Sequence, residues 1–318
     1  MFDEPRTGFG PLHGIRVIEC TQIVAGPSCG RVLGELGAEV IKIESFEGDS
    51  HRNIFTVVPD EGKRFQSLNV NKKSVVLNLQ TPEGQKILQT LCTDADVLLT
   101  NFRHGVPDRL GFGYDTLKEL NPRLVYGRVT GFGSNTEAAF KPAGDVMMQA
   151  FSGLTVNGGK LNEEGLPTLA VNTLADYSGG WGCAIGIIAA LFARTFTGHG
   201  QVVDASLLRG ALVLQDTAVM REPVYDAQIR DPQVAAMQAV LDRGGSFEEL
   251  LEIRAGSMRR SLSIAMLFNG PRQAKDGVVT LGALTPANRE AARRALLITD
   301  DELMSVSDPT SPGYQERL

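Results

Sequence analysis

The sequence predicts an α/β fold built around a largely parallel sheet. Short β-rich runs alternate with helical stretches, which is the pattern of chains that place helices on both faces of a sheet. Helical stretches separate most of the predicted strands from the next, as parallel neighbours require. The chain has 318 residues, of which 42% are hydrophobic and 21% charged, so it contains enough apolar residues for a buried core.

The first βαβ unit begins with a β-rich run at Ile15–Glu19. The turn Ala25-Gly26-Pro27 follows, and its proline suits the first turn of a helix because the missing N–H costs nothing there. This helix is predicted to reach Leu36 and to end at Gly37. The strand Val40–Ile43 completes the unit.

The same alternation continues to residue 204. The segment Thr81-Pro82-Glu83 predicts the start of a helix. Thr81 is the N-cap, Pro82 lies in the first turn, and the helix dipole favours the acid Glu83. The further strands are predicted at Ser74–Leu79, Asp96–Leu99, Leu124–Val129 and Gln201–Asp204, and the helices at Thr81–Leu91 and Tyr114–Leu120.

From Asp145 onward the predicted elements are mainly helices. A helix at Asp145–Phe151 leads into a Gly-rich loop, and a long helix at Tyr177–Phe196 is rich in glycine and alanine, which predicts a central, tightly packed helix. A helix from Ser206 to Met220 follows. Beyond it the chain is charged and helical, with a helix at Phe247–Arg260 and a strand at Val278–Leu281. We therefore predict a large domain at 1–220 and a linker with a smaller domain at 221–318.

Composition excludes several classes of protein. A net charge of -6 and a pI near 5.4 argue against general nucleic-acid binding. No histidine or cysteine pair has metal-ligand spacing, so no metal site is predicted. The start of the chain lacks a signal peptide, and the longest apolar stretch, Cys183–Ala193, is too short to span a bilayer. A cytoplasmic protein with four reduced cysteines and no membrane partner is expected.

Three common cofactor or catalytic motifs are absent. The glycines around the first turn, from Gly26 to Gly37, do not have GxGxxG spacing. Neither a GxxxxGK[ST] phosphate loop nor a GxSxG nucleophile elbow occurs. Nicotinamide dehydrogenases, P-loop NTPases and α/β-hydrolases are therefore disfavoured.

An ordered set of segments nevertheless resembles one family. From Pro11 to Gly210 the chain resembles the family III CoA-transferases, the group of formyl-CoA transferase and the CaiB/BaiF proteins, to which α-methylacyl-CoA racemase is related. The segments that carry the resemblance are Pro11–Glu19, Ala25–Pro27, Leu36–Glu44, Asn71–Ser74, Thr81–Gly84, Asn101–Arg103, Asp108–Gly111, Gln149–Gly153, Leu174–Gly180 and Thr197–Gln201.

The resemblance implies a fold, a partner and a substrate class. It implies a Rossmann-like large domain, a smaller α+β domain, and an intertwined homodimer whose subunits interlock. It implies acyl-CoA and carboxylic acid substrates, with no permanently bound cofactor. Family members continue past the end of this chain, and the tail that returns to the large domain is expected to be missing after Leu318.

The resemblance also implies catalytic residues. Asp176 matches the nucleophile, a carboxylate that attacks the thioester and becomes an acyl-aspartyl anhydride. Spacing alone favours a different interpretation, in which Asp176 caps the helix behind it. Asp145 matches an acid near the active site, or it caps its own helix. Gly153, Gly158 and Gly159 are either oxyanion donors or loop glycines.

The resemblance also implies which residues contact coenzyme A, although the sequence departs from the family at several positions. Arg109 and Lys141 are either phosphate contacts or ordinary surface charges. Ser45 and Gln80 stand where relatives often have a cation, and Arg52 or Lys72 could compensate. Val24 replaces the glutamine of formyl-CoA transferase. The implied CoA-binding residues are Val24, Ala25, Leu77, Asn101, Phe102, Arg109 and Lys141.

Two alternatives to a CoA-transferase remain at this point. One is an acyl-CoA racemase or epimerase of the same fold. The racemase branch carries a histidine just before the acid at the Asp145 position, where this chain has Gly144. The other is an inactive family member that binds CoA and serves as a binding partner.

Overall fold

The structure is a computed structural model that describes residues 10–54, 56, 58–59, 62–170, 173–261 and 268–305, without the side chains of 256–261 and 303–305. Met1–Phe9, where the sequence predicts no signal peptide, and Tyr314–Leu318, after which the return segment is expected to be missing, lie outside the described residues. The chain forms two compact units. One reaches Lys160 and includes Thr168–Met220; the other contains Leu161–Pro167 and the chain from Arg221.

A six-stranded parallel sheet forms the centre of the first unit. Its strand order is β3-β2-β1-β4-β5-β6, with every neighbouring pair parallel. This is the order of the doubly wound nucleotide-binding fold, so the predicted α/β class with a parallel sheet is confirmed. The strands are β1 (Arg16–Cys20), β2 (Glu39–Glu44), β3 (Lys72–Val76), β4 (Val97–Thr100), β5 (Val125–Thr130) and β6 (Val202–Ser206).

Helices cover both faces of this sheet. A short 3₁₀ turn at Ser50–Arg52 follows β2. Thr81 caps its helix as predicted, since its hydroxyl accepts a hydrogen bond from the Gly84 N–H. The helices of the first unit are α1 (Ala25–Glu35), α2 (Lys63–Leu68), α3 (Pro82–Thr93), α4 (Val106–Arg109), α5 (Tyr114–Leu120), α6 (Asp145–Phe151), α7 (Leu154–Asn157), α8 (Leu174–Thr197), α9 (Leu207–Val213) and α10 (Asp216–Val219).

The central strands are apolar because both of their faces are buried. Val17 and Leu99 point into one core cluster, whereas Ile18 and Leu98 point into the other, and all four side chains are fully buried. The alternation follows the period of two residues in a strand. The sheet therefore divides two hydrophobic layers and holds its strand ends in fixed positions.

The second unit is helical with one hairpin. Strands β7 (Asn269–Ala274) and β8 (Gly277–Gly282) pair antiparallel. A π-helical turn at Asp226–Arg230 leads into α12. The helices are α11 (Pro223–Tyr225), α12 (Asp231–Asp242), α13 (Phe247–Ser261), α14 (Pro286–Ala295) and α15 (Asp300–Ser305).

The long helix α8 packs closely against its neighbours through glycine. It contacts α1, α9, β5 and β6, which confirms the prediction of a central helix. A Cβ on Gly180 would lie 2.3 Å from the Ala25 carbonyl oxygen, and one on Gly186 would lie 2.6 Å from Val203. Within the described chain, α8 is the one helix long and apolar enough to cross a membrane, and 44% of its most apolar window is buried. The glycine contacts bury one side of α8, whereas Trp181, Ile185, Phe192 and Phe196 on the same helix are exposed.

Substitution of Gly180 should separate packing from helix propensity. We expect Gly180→Ala to lower the free energy of unfolding by about 1–3 kcal/mol, since the new methyl group meets a backbone carbonyl that cannot move aside easily. Gly182→Ala is the matched control on the same helix, because its Cβ would meet nothing within 4 Å; it should stabilise the chain by about 0.5–1 kcal/mol. Denaturant unfolding of both variants checks this, and equal effects would contradict it.

Two predicted elements differ from the structure. The predicted helix Ser206–Met220 is wrong, because it breaks at Gln215, whose buried side chain binds Asn157 and the Ser152 carbonyl instead of facing solvent. Strand β3 ends at Val76 rather than at Leu79. It lies at the edge of the sheet, and its one neighbour, β2, ends opposite it at Glu44.

Candidate active site

A cavity of about 420 Å³ opens at the carboxyl edge of the sheet. The strand order reverses between β1 and β4, and the segments after both strands, Gln22–Ala25 and Asn101–Arg103, line the cavity. Ligands of open α/β sheets bind at this kind of switch point, where loops diverge from neighbouring strand ends. The end of β5, the segment around Lys141 and the start of α8 complete the walls.

Asp176 lies in the first turn of α8 and lines the cavity. The N-cap of this helix is Thr173, with a φ of 63°, so the interpretation of Asp176 as the cap is wrong. Its side chain is 9% exposed. A carboxylate at this position faces a ligand space while the positive end of a helix dipole lies behind it.

Asp145 caps helix α8, a role that the sequence analysis considered for Asp176. Its Oδ1 accepts hydrogen bonds from the N–H groups of Ala175 at 2.7 Å and Asp176 at 3.2 Å, and its Oδ2 accepts one from Thr173 at 3.1 Å. Asp145 therefore caps α8 rather than its own helix α6, where Gly144 is the N-cap. The carboxylate lines the same cavity, but its oxygens are already engaged in holding the helix that carries Asp176.

The environment of Asp176 changes its proton affinity. Burial and, to a smaller extent, the negative charge of Asp145 raise the pKa of this carboxyl group from 3.8 to about 7, against the opposing effect of the Arg64 guanidinium. Arg64 lies on α2 and donates a hydrogen bond to the Thr173 hydroxyl at 2.7 Å. Near neutral pH, Asp176 thus exists partly as the neutral acid and partly as the nucleophilic carboxylate.

This pKa predicts a pH profile. If Asp176 is the nucleophile that the resemblance implies, only its carboxylate form attacks, so kcat/KM for an acyl-CoA should rise with pH through about 7 and then level off. Arg64→Met removes the charge that lowers the pKa, so the rise should move to higher pH. Arg31→Met, which breaks an exposed ion pair with Glu35 on α1, is the control and should not move it. A profile that is flat from pH 5 to 9, or unchanged in Arg64→Met, would contradict this account.

The structure brings together most of the residues implied to bind CoA. Val24, Ala25, Asn101, Phe102 and Lys141 line the cavity that contains Asp176. Both polar groups of the Asn101 side chain bind the Gln22 backbone, with the Gln22 N–H donating at 2.9 Å and its carbonyl accepting at 2.8 Å. For these residues a role in binding CoA remains a prediction.

Leu77 and Arg109 lie apart from Asp176. Leu77 lines a second cavity of about 250 Å³, which shares Gln22 and Phe102 with the first and also includes Ser45 and Gln80. The two cavities are therefore adjacent. Arg109 is exposed on α4 and lines neither cavity.

The two cations considered as substitutes near the second cavity are engaged elsewhere. Lys72 has a side chain that is 2% exposed, and its Nζ pairs with Glu19 at 2.9 Å. Arg52 forms two hydrogen bonds with Glu44, at 2.9 and 2.7 Å, and its guanidinium stacks on the Phe65 ring. Neither lines the cavity, so the expectation that they replace the missing cation is wrong.

The glycines proposed as oxyanion donors are also engaged. The N–H groups of Gly153, Gly158 and Gly159 donate to the carbonyls of Ala150, Leu154 and Val156. Positive φ angles of 79° at Gly153 and 66° at Gly159 explain the glycines there. They form turns around α7, and the oxyanion role is wrong for them.

Sequence reasoning missed two cations of the site. Arg103 lines the first cavity and stands directly after Asn101 and Phe102, so its position after strand β4 was a usable signal. Arg64 had no such signal, because its partner Thr173 is 109 residues away in the chain. Among the described residues, no cluster of His, Cys, Asp or Glu could hold a metal ion, and the four cysteines are buried and free.

The chain is similar in sequence to known CoA-transferases and to a racemase. The chain is 40% identical over 213 residues to "Acetyl-CoA:oxalate CoA-transferase" of Acetobacter aceti, covering 66% of this chain and 54% of that protein. It is 38% identical over 204 residues to human "Alpha-methylacyl-CoA racemase", covering 64% and 50%. The chain thus spans about half the length of the curated relatives it matches.

A solved structure and a family model extend the likeness. The crystal structure of Rv3272 from M. tuberculosis superposes with a TM-score of 0.73 at 28% identity, covering 96% of this chain and 75% of that one. The model of CoA-transferase family III matches residues 12–247, a segment that includes both cavities and Asp176. The chain therefore belongs to CoA-transferase family III.

Proposed function

We propose that this protein moves CoA from an acyl-CoA thioester to a carboxylic acid through an anhydride on Asp176. The observation that supports it best is a buried carboxylate with a pKa of about 7, at the start of a helix and in the wall of a cavity at the strand-order reversal. Family membership and the names of the relatives favour the same chemistry. The cytoplasmic location and the intertwined homodimer remain predictions.

The proposed reaction begins with attack by an Asp176 carboxylate oxygen on the thioester carbonyl carbon. The C–S bond breaks, CoA leaves as a thiolate, and an acyl-aspartyl anhydride remains. A thiol has a reference pKa of about 8.5, so the thiolate is a competent leaving group. Burial of Asp176 assists because a poorly solvated carboxylate has less hydration to lose before attack.

The second half of the proposed reaction returns CoA to the acceptor. The acceptor carboxylate attacks the aspartyl carbonyl and displaces the donor acid, which gives an acceptor-aspartyl anhydride. CoA thiolate then attacks the acceptor carbonyl and releases the Asp176 carboxylate. Lys141 and Arg103 line the cavity and supply positive charge for the anionic thiolate and acid groups.

A screen of CoA esters against carboxylic acids tests this function. Each pair is incubated with the full chain, and mass spectrometry follows the formation of the acceptor's CoA ester. The proposal expects exchange with at least one pair, and no exchange with Asp176→Asn. Binding of CoA esters without exchange in any pair would favour the alternative of an inactive binding protein.

The racemase alternative is favoured by one observation, the 38% identity to α-methylacyl-CoA racemase. Exchange of an α-proton on both faces of a carbon needs two bases. No histidine occurs among the described residues that line the Asp176 cavity, and Gly144 lies where the racemase branch is expected to carry one. We expect no wash-in of solvent deuterium at the α-carbon of a 2-methylacyl-CoA, measured by mass spectrometry. Exchange as fast as turnover would make racemisation the better assignment.

A further inference from the structure

The loop between β1 and α1 is held by side chains from both neighbours of β1. Lys42 on β2 donates from Nζ to the Thr21 carbonyl at 2.8 Å. Asn101, after β4, binds the N–H and the carbonyl of Gln22. Asp49, after β2, accepts from the Ile23 N–H, with 3.3 Å to Oδ2. Three consecutive backbone units are thus fixed before the helix begins.

Ile23 has a backbone conformation that is rare for its residue type. Its φ is 71°, in the left-handed region that β-branched residues avoid. The side chain is 47% exposed, so burial does not compensate for this conformation. Residues held in such a conformation cluster at functional sites, where the surrounding structure has to enforce it. Here the nearest enforcing contact is the hydrogen bond to Asp49.

Asp49 is itself rigidly anchored. It is 2% exposed, and its Oδ2 lies 3.1 Å from Lys42 Nζ. Its Oδ1 accepts from the His51 N–H at 3.0 Å, and its own N–H donates to Glu44 at 3.1 Å. Lys42 is also within 3.4 Å of the buried Glu19. The Asp49 carboxylate therefore has a fixed position from which to hold the loop.

The loop in turn fixes part of the active-site wall. Ile23, Val24 and Ala25 line the cavity. The Ala25 carbonyl lies against Gly180, one helical turn beyond Asp176. A displaced loop would change the distance between the first turn of α1 and the nucleophile.

We propose that Asp49 is a positioning residue that holds the Ile23 peptide in its left-handed conformation and thereby shapes the cavity for the CoA thioester. Asp49 lines neither cavity, so it acts through the loop rather than by touching the ligand. The part of this inference that concerns CoA rests on the proposed function; the part that concerns the loop does not.

A double-mutant cycle tests the inference on the full chain. Calorimetric titration with CoA is compared for the native protein, Asp49→Ala, Ile23→Gly and the double variant. Asp49→Ala should raise the dissociation constant about tenfold (~1.4 kcal/mol). In the Ile23→Gly background the same change should raise it less than about threefold, because glycine adopts positive φ without strain. A merely structural loss would be the same in both backgrounds, and that result, or an unchanged affinity in Asp49→Ala, would overturn the proposal.

Two further variants complete the test, one as a control and one as a replacement for Asp49→Ala. Asp96→Ala removes a carboxylate that pairs with Arg194 at 2.7 Å beside the amino end of β4, away from the cavity, and should leave the CoA affinity unchanged. A loss as large as that of Asp49→Ala would count against the proposal. If Asp49→Ala does not fold, Asp49→Leu, which also lacks an acceptor for the Ile23 N–H, takes its place in the cycle, with the same expected difference between the two backgrounds.

Hydrogen exchange separates this inference from the proposed function. If the native chain binds no CoA, the proposed function fails. The Ile23 amide then decides the present inference, since its N–H is bonded to Asp49. Exchange at least about tenfold faster in Asp49→Ala than in the native chain, or in Asp49→Leu where that variant replaces it, supports the inference. An unchanged rate overturns it.

Discussion

Asp176→Asn is expected to abolish CoA transfer while leaving CoA binding nearly intact. The amide has almost the same shape but is a poor nucleophile, so the anhydride cannot form. Loss of a covalent nucleophile typically lowers kcat by about 10⁴-fold or more. The other residues predicted to bind CoA, such as Leu77 and Lys141, are unchanged in this variant, so the predicted CoA contacts remain. Transfer assays together with calorimetric titration of CoA measure both quantities.

The stability of Asp176→Asn shows whether a loss of CoA transfer results from misfolding. In the folded chain the pKa of Asp176 is about 7, above the value of 3.8 for an unperturbed group. The folded state therefore binds more protons between these pH values, and this group's contribution to stability falls as the pH rises from about 4 to 7. Asn does not ionise, so Asp176→Asn should be at least as stable as the native chain at pH 7. An inactive variant that is clearly less stable would leave the nucleophile assignment without support.

Asp145→Ala should cause the largest loss of stability among the variants considered. It leaves three N–H groups at the buried start of α8 without their acceptor, those of Thr173, Ala175 and Asp176. Loss of a helix cap costs about 0.5–2 kcal/mol, and unsatisfied buried groups add to that, so we expect about 2–4 kcal/mol. The chain's single tryptophan, Trp181, lies on α8, and its fluorescence during denaturant unfolding reports on this helix.

Asp145→Asn is the matched comparison. Its amide oxygen can still accept hydrogen bonds from the start of α8, although the negative charge is gone, so the loss should be about half that of Asp145→Ala. Removal of the charge should also lower the pKa of Asp176, because Asp145 raises it. The acid limb of the pH profile should then shift to lower pH. A chain with Ala at this position that is as stable as the native one would show that Asp145 does not cap α8.

Local sequence signals predicted the part of the fold that depends on neighbouring residues. The Thr81 cap and the helix Tyr114–Leu120 were predicted at the residues where the structure has them. The central strands carry continuous apolar runs because both sheet faces are covered. This pattern in the sequence predicted β4. The resemblance placed Val24 and Asn101 after β1 and β4, and the parallel sheet brings those two positions to one edge.

Contacts between distant parts of the chain could not be predicted in the same way. A cap of its own helix was one of two roles considered for Asp145, yet the backbone N–H groups that it caps lie 28 to 31 residues further on. Gln215 interrupts a helix because its side chain accepts a hydrogen bond from Asn157. No local sequence pattern predicts such a hydrogen bond. Lys72 was considered as a substitute for a missing CoA-binding cation, but its ammonium group pairs with the buried Glu19. In each case a polar side chain satisfies a buried group, which only the folded chain reveals.

The most direct test of the account is to trap the anhydride on Asp176. The full chain is mixed with an acyl-CoA, hydroxylamine is added during turnover, and the protein is digested for mass spectrometry. Attack at the aspartyl carbonyl should leave a hydroxamate on the peptide that contains Asp176 and on no other. The modification should require the acyl-CoA and should be absent from Asp176→Asn. A chain that turns over the acyl-CoA while Asp176 stays unmodified, or one in which another carboxylate is labelled, would contradict the central claim.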